Sequence, residues 1–409
     1  MGILPSNVDL LAEIDALTEV GRRAPGSDAE RRAAAHLEER LRELGREAET
    51  EPVEVWPNWP LAYAILVALA VAGSVLSVSV PLLGALLALL AALLTFLDAG
   101  VLLPTLRRLL GRRASQNVVS WGDRDKPGLL ILAAHYDAGR GGIALSEKAD
   151  ARRAAFGHLV RRSIGPLQPL FWAELAVLVC CVLRLAGLSG LLLTVLQFIP
   201  TVILIVAVAL LIDIAMSATR GGENDNASGV ALALSLAERF GGGKLEHFDV
   251  HLLLTGGQKA VAAGSRAFLK RHKEELGRER TVLLNLDAVG SGTVRYTSRE
   301  GPLLAIKTHP QLVTMCDAIA EDDEDENAFG ARAMTGRSPS DGYAARSAGV
   351  PAITIGCRGR LDYAPGRVDE DALERAEAFC AELIERLDKE VGPDLAGPVE
   401  ETVLTEAED

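Results

Sequence analysis

Two stretches of the 409-residue chain, 61–103 and 169–216, are almost free of charge, whereas the remainder mixes polar and apolar positions at helical and strand periods. Each apolar stretch holds two helices of about 20 residues, the length that crosses a bilayer. Ser79-Val80-Pro81 and Gly187-Leu188-Ser189-Gly190 supply the turns between them. The pattern predicts four transmembrane helices, at 61–80, 82–103, 169–187 and 191–214, inserted as two hairpins. Trp56, Trp59 and Tyr63 stand at the first entry and Phe171 and Trp172 at the third, where amphipathic rings suit the headgroup layer. Three charges interrupt the second hairpin. Glu174 and Asp213 lie near span ends and are expected to reach the interface, and Arg184 to snorkel or to pair inside the bundle.

Outside the spans the signals alternate between helix and strand. Ser27-Asp28-Ala29-Glu30 reads as a capping box opening an amphipathic helix that runs through Leu44 and closes at Gly45. Short apolar runs at 117–121, 129–134, 249–255, 281–286 and 352–356 predict strands, separated by helical runs such as 227–240 and 264–276. The fold class is therefore α/β, with a mixed, mostly buried central sheet flanked by helices and the two hairpins inserted into it. The soluble domain is discontinuous, made of 1–60, 104–168 and 217–392. A helix over 369–391 closes it, and 393–409 is an acidic tail expected to be disordered. The acidic run 321–326 reads as a solvated loop.

Composition adds three constraints. A mean hydropathy of +0.21 beside 24% charged residues confirms that the apolar residues are concentrated in the two stretches. A net charge of −13 argues against a nucleic-acid partner and leaves the lipid bilayer and a peptide or protein as the partners to expect. Basic residues next to the spans set the orientation, because Lys and Arg are retained on the cytoplasmic side. Arg107, Arg108, Arg112 and Arg113 follow the second span, Arg152, Arg153, Arg161 and Arg162 precede the third, and Arg220 follows the fourth. The turns carry none, so a multi-pass protein with its soluble domain in the cytoplasm is expected. The five cysteines form no paired framework, in keeping with that compartment, and the polar first 50 residues lack the pattern of a cleavable signal.

The chemistry lies in fragments that follow one another in order: Ala134-His135-Tyr136-Asp137, Glu223-Asn224-Asp225-Asn226-Ala227-Ser228-Gly229 and Asn285-Leu286-Asp287, each at or near a predicted strand end. With Gly21-Arg22-Arg23-Ala24-Pro25-Gly26-Ser27 before them and Gly349-Val350-Pro351 after, they make the soluble part resemble the zinc aminopeptidases of peptidase family M28. That family also includes glutamate carboxypeptidases, glutaminyl cyclases, transferrin receptors and nicalin. The resemblance implies that His135, Asp225 and Asp287 bind one zinc, with Asp225 bridging to a second, and that Asp137 fixes the His135 ring from behind. The family's glutamate pair, a general base and a ligand of the second zinc, aligns with Gln258 and Lys259, anchored by Gly264-Ser265. Its last histidine ligand aligns with Ala364 in Asp362-Tyr363-Ala364-Pro365, and a Ser-Asp-His stretch is changed to Ser340-Asp341-Gly342.

The losses are selective. One zinc keeps all three protein ligands and an open position; the second keeps only the bridging Asp225. An ammonium about 4 Å from that second cation opposes it by about 4 kcal/mol at an effective dielectric near 20, so a second zinc is not expected. Should Lys259 pair with both Asp225 and Asp287, even the first ion is excluded. Gln258 cannot carry a proton, and a missing base lowers rates by about 10²–10⁴-fold. Glu223 and Asp362 are the residues placed to substitute for it. His247, His251 and His309 read as ordinary strand-edge or loop residues. Two functions remain open: a catalytically inactive relative that binds a peptide or protein partner, and a membrane-bound hydrolase that works with one zinc.

Overall fold

The computed structural model describes residues 8–100, 103–123, 125–159, 161, 163–277, 280–321, 329–358 and 368–391. Two short helices lead in, α1 (Leu10–Glu19) and α2 (Asp28–Glu43), followed by strand β1 (Glu49–Val55). The first apolar stretch forms α3 (Trp59–Leu76) and α4 (Pro81–Thr95), the latter prolonged by one wide turn to Gly100. Then come β2 (Arg113–Ser120), β3 (Gly128–His135), α5 (Glu147–Leu159) and the second apolar pair, α6 (Gln168–Leu185) and α7 (Leu191–Met216). The remainder runs α8 (Ser228–Phe240), β4 (Phe248–Thr255), α9 (Ala263–Arg271), β5 (Thr281–Leu286), β6 (Thr293–Glu300), β7 (Ile306–Lys307), α10 (Pro310–Glu321), β8 (Arg332–Gly336), α11 (Asp341–Ser347), β9 (Ala352–Arg358) and α12 (Glu370–Arg386).

The strands form one mixed sheet in the order β1-β2-β4-β3-β5-β9-β6-β7, with β8 beside β6. Its centre, β4-β3-β5-β9, is parallel. These central strands are covered on both faces. Along β3, Leu130, Leu132 and Ala134 face a core built with α1, α2, α8 and α12, while Leu129, Ile131 and Ala133 face α9 and α11. All five predicted strands are present. The sequence reading missed β1, β6, β7 and β8: in β1 buried Glu51, Val53 and Val55 alternate with exposed Thr50, Pro52 and Glu54, so no apolar run announces it.

The four apolar helices are each long and apolar enough to cross a membrane. They pack as one bundle rather than as separate hairpins, with α3 against α4 and α7 and α6 against α4 and α7. Small residues permit this. A Cβ on Gly84 would stand 2.5 Å from Ser77 Cα, and one on Gly73 would stand 2.8 Å from the Gly84 carbonyl, so α3 and α4 meet backbone to backbone. A polar knot ties in α7: the Gln197 amide donates to the Ser74 carbonyl (2.7 Å), Ser74 Oγ (2.9 Å) and Ser77 Oγ (2.9 Å). Arg184 Nε donates to Gln197 Oε1 (2.6 Å), which is how the bundle accommodates that arginine.

Two expectations about charge are corrected. Glu174 does not reach an interface; it is fully buried, and Thr95 Oγ1 donates to it at 3.2 Å. Arg107, counted among the basic residues flanking the second span, is fully buried against Asp98 (2.9 Å), and its Nη1 donates to the Ala260 carbonyl (2.7 Å). Asp98 also accepts from Tyr63 Oη (3.0 Å), so this cluster joins the bundle to the loop after β4. Asp213 accepts from the Ile143 amide (2.6 Å) at the end of α7. The acidic tail and nearly all of the acidic run 321–326 lie outside the described residues.

Candidate metal centre

The central strands decide where chemistry can gather. From β3 the chain crosses to β4 on one side, and from β4 it passes over to β5 on the other, so the carboxyl ends of these three strands border a switch point where a crevice opens. His135 ends β3, Asp287 follows β5, and Asp225 sits in the tight turn that enters α8. The Asp225–Asn226 peptide is cis.

These three side chains converge as the resemblance implied. His135 Nε2 is 3.2 Å from Asp225 Oδ1 and 3.7 Å from Asp287 Oδ1. One donor atom from each residue falls within 4.8 Å of the others. Ligands about 2.1 Å from a tetrahedral zinc lie about 3.4 Å apart, so the donor set fits one ion. Among the described residues the buried Nε2 has no hydrogen-bond partner although two carboxylates face it, as expected of a nitrogen placed for a metal.

Asp137 lies behind the His135 ring. Its carbonyl and Oδ1 lie 3.0 and 3.3 Å from His135 Nδ1 and orient the ring. Its carboxylate also accepts from the Gln258 amide (3.1 Å) and the Lys259 amide (2.8 Å), which fixes the altered pair beside the centre. Gln258 is buried, and its Nε2 donates to the Pro339 carbonyl at 3.1 Å. Lys259 Nζ bonds Asp225 Oδ1 at 2.7 Å, the same oxygen that faces His135. Burial opposes the ammonium, but the Asp225 and Asp287 carboxylates outweigh it and raise the Lys259 pKa. Burial likewise opposes the Asp225 charge, and Lys259 overcomes it, so Asp225 is held below the usual carboxylate range. For His135, burial and Lys259 favour the neutral ring, yet Asp137, Asp225 and Asp287 together lift its pKa well above normal.

Other expected positions resolve differently. Ala364 and Asp362 lie outside the described residues. Glu223 turns back over Gly221, where an added Cβ would meet its Oε1. Asp341 is buried; Thr255 Oγ1 donates to its Oδ2 at 2.5 Å, and burial raises its pKa. His247 precedes β4 and meets the Asp388 carbonyl (2.7 Å), His251 packs edge-on to Trp121, and neither they nor His309 join a metal-donor group among the described residues.

Four supporting residues escaped the sequence reading of the site. Arg23 is fully buried and donates to the carbonyls of Tyr136 (2.7 Å), Leu17 (3.0 Å) and Gly222 (3.0 Å), clamping the loops that carry His135 and Asp225. Asn224 and Asn226 accept from Gly290 and Ala288, both at 2.8 Å, and hold the Asp225 turn against the loop of Asp287. Glu30 does not complete the predicted capping box. Ser27 caps Glu30 (3.2 Å), but the Glu30 carboxylate accepts from Gly26 (2.6 Å) and Gly257 (2.8 Å), gripping the loop before Gln258. The polar residues within that loop and turn were the only available signal.

The profile described as Peptidase family M28 matches residues 211–378, which include Asp225, Gln258, Lys259 and Asp287. Among curated proteins, none matches the chain in sequence. Among solved structures, a Bacteroides thetaiotaomicron glutaminyl cyclase bound to N-acetylhistamine aligns with a TM-score of 0.53 at 12% identity, over 94% of this chain and 99% of its own. A zinc aminopeptidase from Bacillus subtilis aligns with a TM-score of 0.52 at 11% identity, over 96% and 98%. An aminopeptidase from Aneurinibacillus sp. strain AM-1 gives 0.50 at 14% identity, over 92% of each chain. The fold is that of the M28 peptidases.

Proposed function

We propose that this chain, built on an M28-type fold, is a multi-pass membrane protein whose cytoplasmic cleft binds a peptide or protein segment without hydrolysing it. The observation that carries the proposal is the Lys259 ammonium on Asp225 Oδ1 at 2.7 Å, beside a Gln at the position of the base. A cation fixed there stands in for the charge of the second metal and opposes its binding by about 4 kcal/mol. The Gln258 amide, held by the Pro339 carbonyl, can hold a ligand by hydrogen bonding but cannot take a proton from water and return it to a leaving amine. The four apolar helices and the basic residues that flank them support the membrane and cytoplasmic parts of the reading.

A second reading has its own observation. His135, Asp225 and Asp287 would hold one zinc, with Asp137 orienting the imidazole. When bound, such an ion polarises a carbonyl and lowers the pKa of water. The two readings part on bound metal and activity. We expect detergent-purified wild type to carry close to no zinc and to leave aminoacyl and peptide substrates intact, and Lys259→Glu to gain zinc. About one zinc per chain, lost together with hydrolysis in His135→Ala, would establish the single-metal enzyme. Two zincs in the wild type would refute the assigned role of Lys259.

A further inference from the structure

A cavity of about 680 Å³ extends from Asp225, Gln258 and Lys259 to the helix bundle. Its size falls within the roughly 300–1,000 Å³ of small-molecule sites. Its two ends differ in chemistry. At the bundle end it is walled by Tyr63 of α3, Leu170 of α6, and Val202, Val206 and Leu210 of α7. Val202 and Val206 are exposed, so the helix bundle leaves this wall uncovered.

At the other end the lining holds Arg113, Arg140, Arg153, Arg220 and Arg337 together with Lys259, against one acid, Asp225, which Lys259 already pairs. In a chain of net charge −13, Arg113, Arg140 and Arg220 gather positive charge on this wall. Among the described residues no carboxylate forms an ion pair with Arg113, Arg140 or Arg220; Arg140 donates to the Ala215 carbonyl (2.8 Å) and Arg220 to that of Leu145. Burial and the neighbouring Arg113 charge both lower the Arg140 pKa, so the two guanidiniums are near enough to feel each other. Arg140 and Arg220 also lie at the end of α7, joined by the Arg140–Thr219 bridge, where a span meets the headgroup layer.

We propose that this cavity binds an anionic membrane phospholipid, its phosphate on Arg113, Arg140 and Arg220 and an acyl chain between α3, α6 and α7. Guanidinium forks match phosphate oxygens in pairs, and basic pockets between cytoplasmic span ends are suited to anionic headgroups. The inference rests on the membrane part of the proposed function. A bound lipid would close the apolar side of the cleft, leaving the face of Gln258 and Lys259 for a peptide.

The test uses the full chain in phosphatidylcholine nanodiscs doped with acyl-photoreactive phosphatidylglycerol or, separately, acyl-photoreactive phosphatidylcholine, with adducts mapped by mass spectrometry. We expect phosphatidylglycerol to label the inner α7 face around Val206 and Leu210. That labelling should fall roughly fivefold for each of Arg140→Ala and Arg113→Ala, and Val206→Trp, which fills the cavity, should abolish it. Arg113→Ala alters an exposed side chain and keeps the test valid should the tryptophan variant misfold. Equal labelling by both lipids, indifferent to the arginines, would overturn the site and leave a lipid annulus only. Displacement by free palmitate but not by unlabelled phosphatidylglycerol would overturn the phospholipid assignment in favour of a fatty acid. Failure of the chain to enter nanodiscs would sink the membrane reading itself, a result distinct from the others.

Discussion

The molecule has two polar interiors, and they are finished to different standards. Inside the helix bundle, the Gln197 amide uses three acceptors on α3 and its oxygen receives Arg184, while Ser74 Oγ meets Thr201 Oγ1 at 2.7 Å. Inside the cleft, among the described residues, His135 Nε2, Gln258 Oε1 and Asp341 Oδ1 are buried without hydrogen-bond partners, against one such atom in the bundle, Glu174 Oε2. A satisfied network fixes one packing, whereas unpaired buried groups cost free energy that folding alone does not return. The Gln197 network therefore serves architecture, and the unpaired groups of the cleft suit the binding role proposed for it. Asp98 and Arg107 connect the two regions, with Arg107 reaching the carbonyl of Ala260 one residue beyond Lys259.

The strongest way to break this comparison is to cut that connection. Arg107→Leu leaves the Asp98 carboxylate buried without its partner, and we expect a loss of about 3–5 kcal/mol, read as early thermal unfolding in detergent. Replacing both residues by Leu should recover most of it, because a buried ion pair exchanged for apolar packing is often neutral. A loss below about 1 kcal/mol for the single variant would show the pair to be incidental. A paired test of the two glutamines sharpens the contrast. Gln197→Leu strips four hydrogen bonds from the bundle and should cost about 1–2 kcal/mol, as for polar contacts between membrane helices. Gln258→Leu removes one bond and one unpaired oxygen and should change stability by less than about 1 kcal/mol. Equal costs for the two would erase the distinction between the regions.

Some of this was legible in the sequence. The central strands could be read because burial on both faces writes them as unbroken apolar runs, as in Leu129-Leu130-Ile131-Leu132. The four apolar helices could be read for the same reason. His135, Asp137, Asp287, Gln258 and Lys259 could be placed because ordered fragments fixed them at or after strand ends, and Asp225 because its fragment opens a helix. What stayed hidden depends on contacts between distant segments. The meeting of Gln197 with Ser74 spans 123 positions, and nothing local to either residue announces it. Arg107 looked like a headgroup contact because its neighbours are basic, yet its partners are Asp98 and the loop after β4. Glu30 was misread because a capping box is a local pattern, and its competing acceptor role toward Gly257 lies 227 positions away.

Glu30 gives the finest test. Its carboxylate accepts two backbone amides, but burial and the nearby Asp137 charge outweigh them and push its pKa up from 4.5 to about 8. Asp137, Tyr136 and Ser115 are the groups that share its surroundings. The sign follows from proton counting. Between pH 4.5 and about 8 the folded chain holds a proton on Glu30 that the unfolded chain has lost, so this residue makes stability fall as pH rises through that window. Glu30→Gln keeps one acceptor, turns an N–H toward a donor, and should cost about 1 kcal/mol near pH 5, where both side chains are neutral. The variant should lack the wild-type slope of about 1.4 kcal/mol per pH unit, so the wild-type curve crosses the variant's within that window and lies below it near pH 8 when denaturant unfolding is followed across the range. Parallel curves would mean that Glu30 titrates as an ordinary carboxylate, and that the cleft side of the molecule is built to the same finished standard as the bundle.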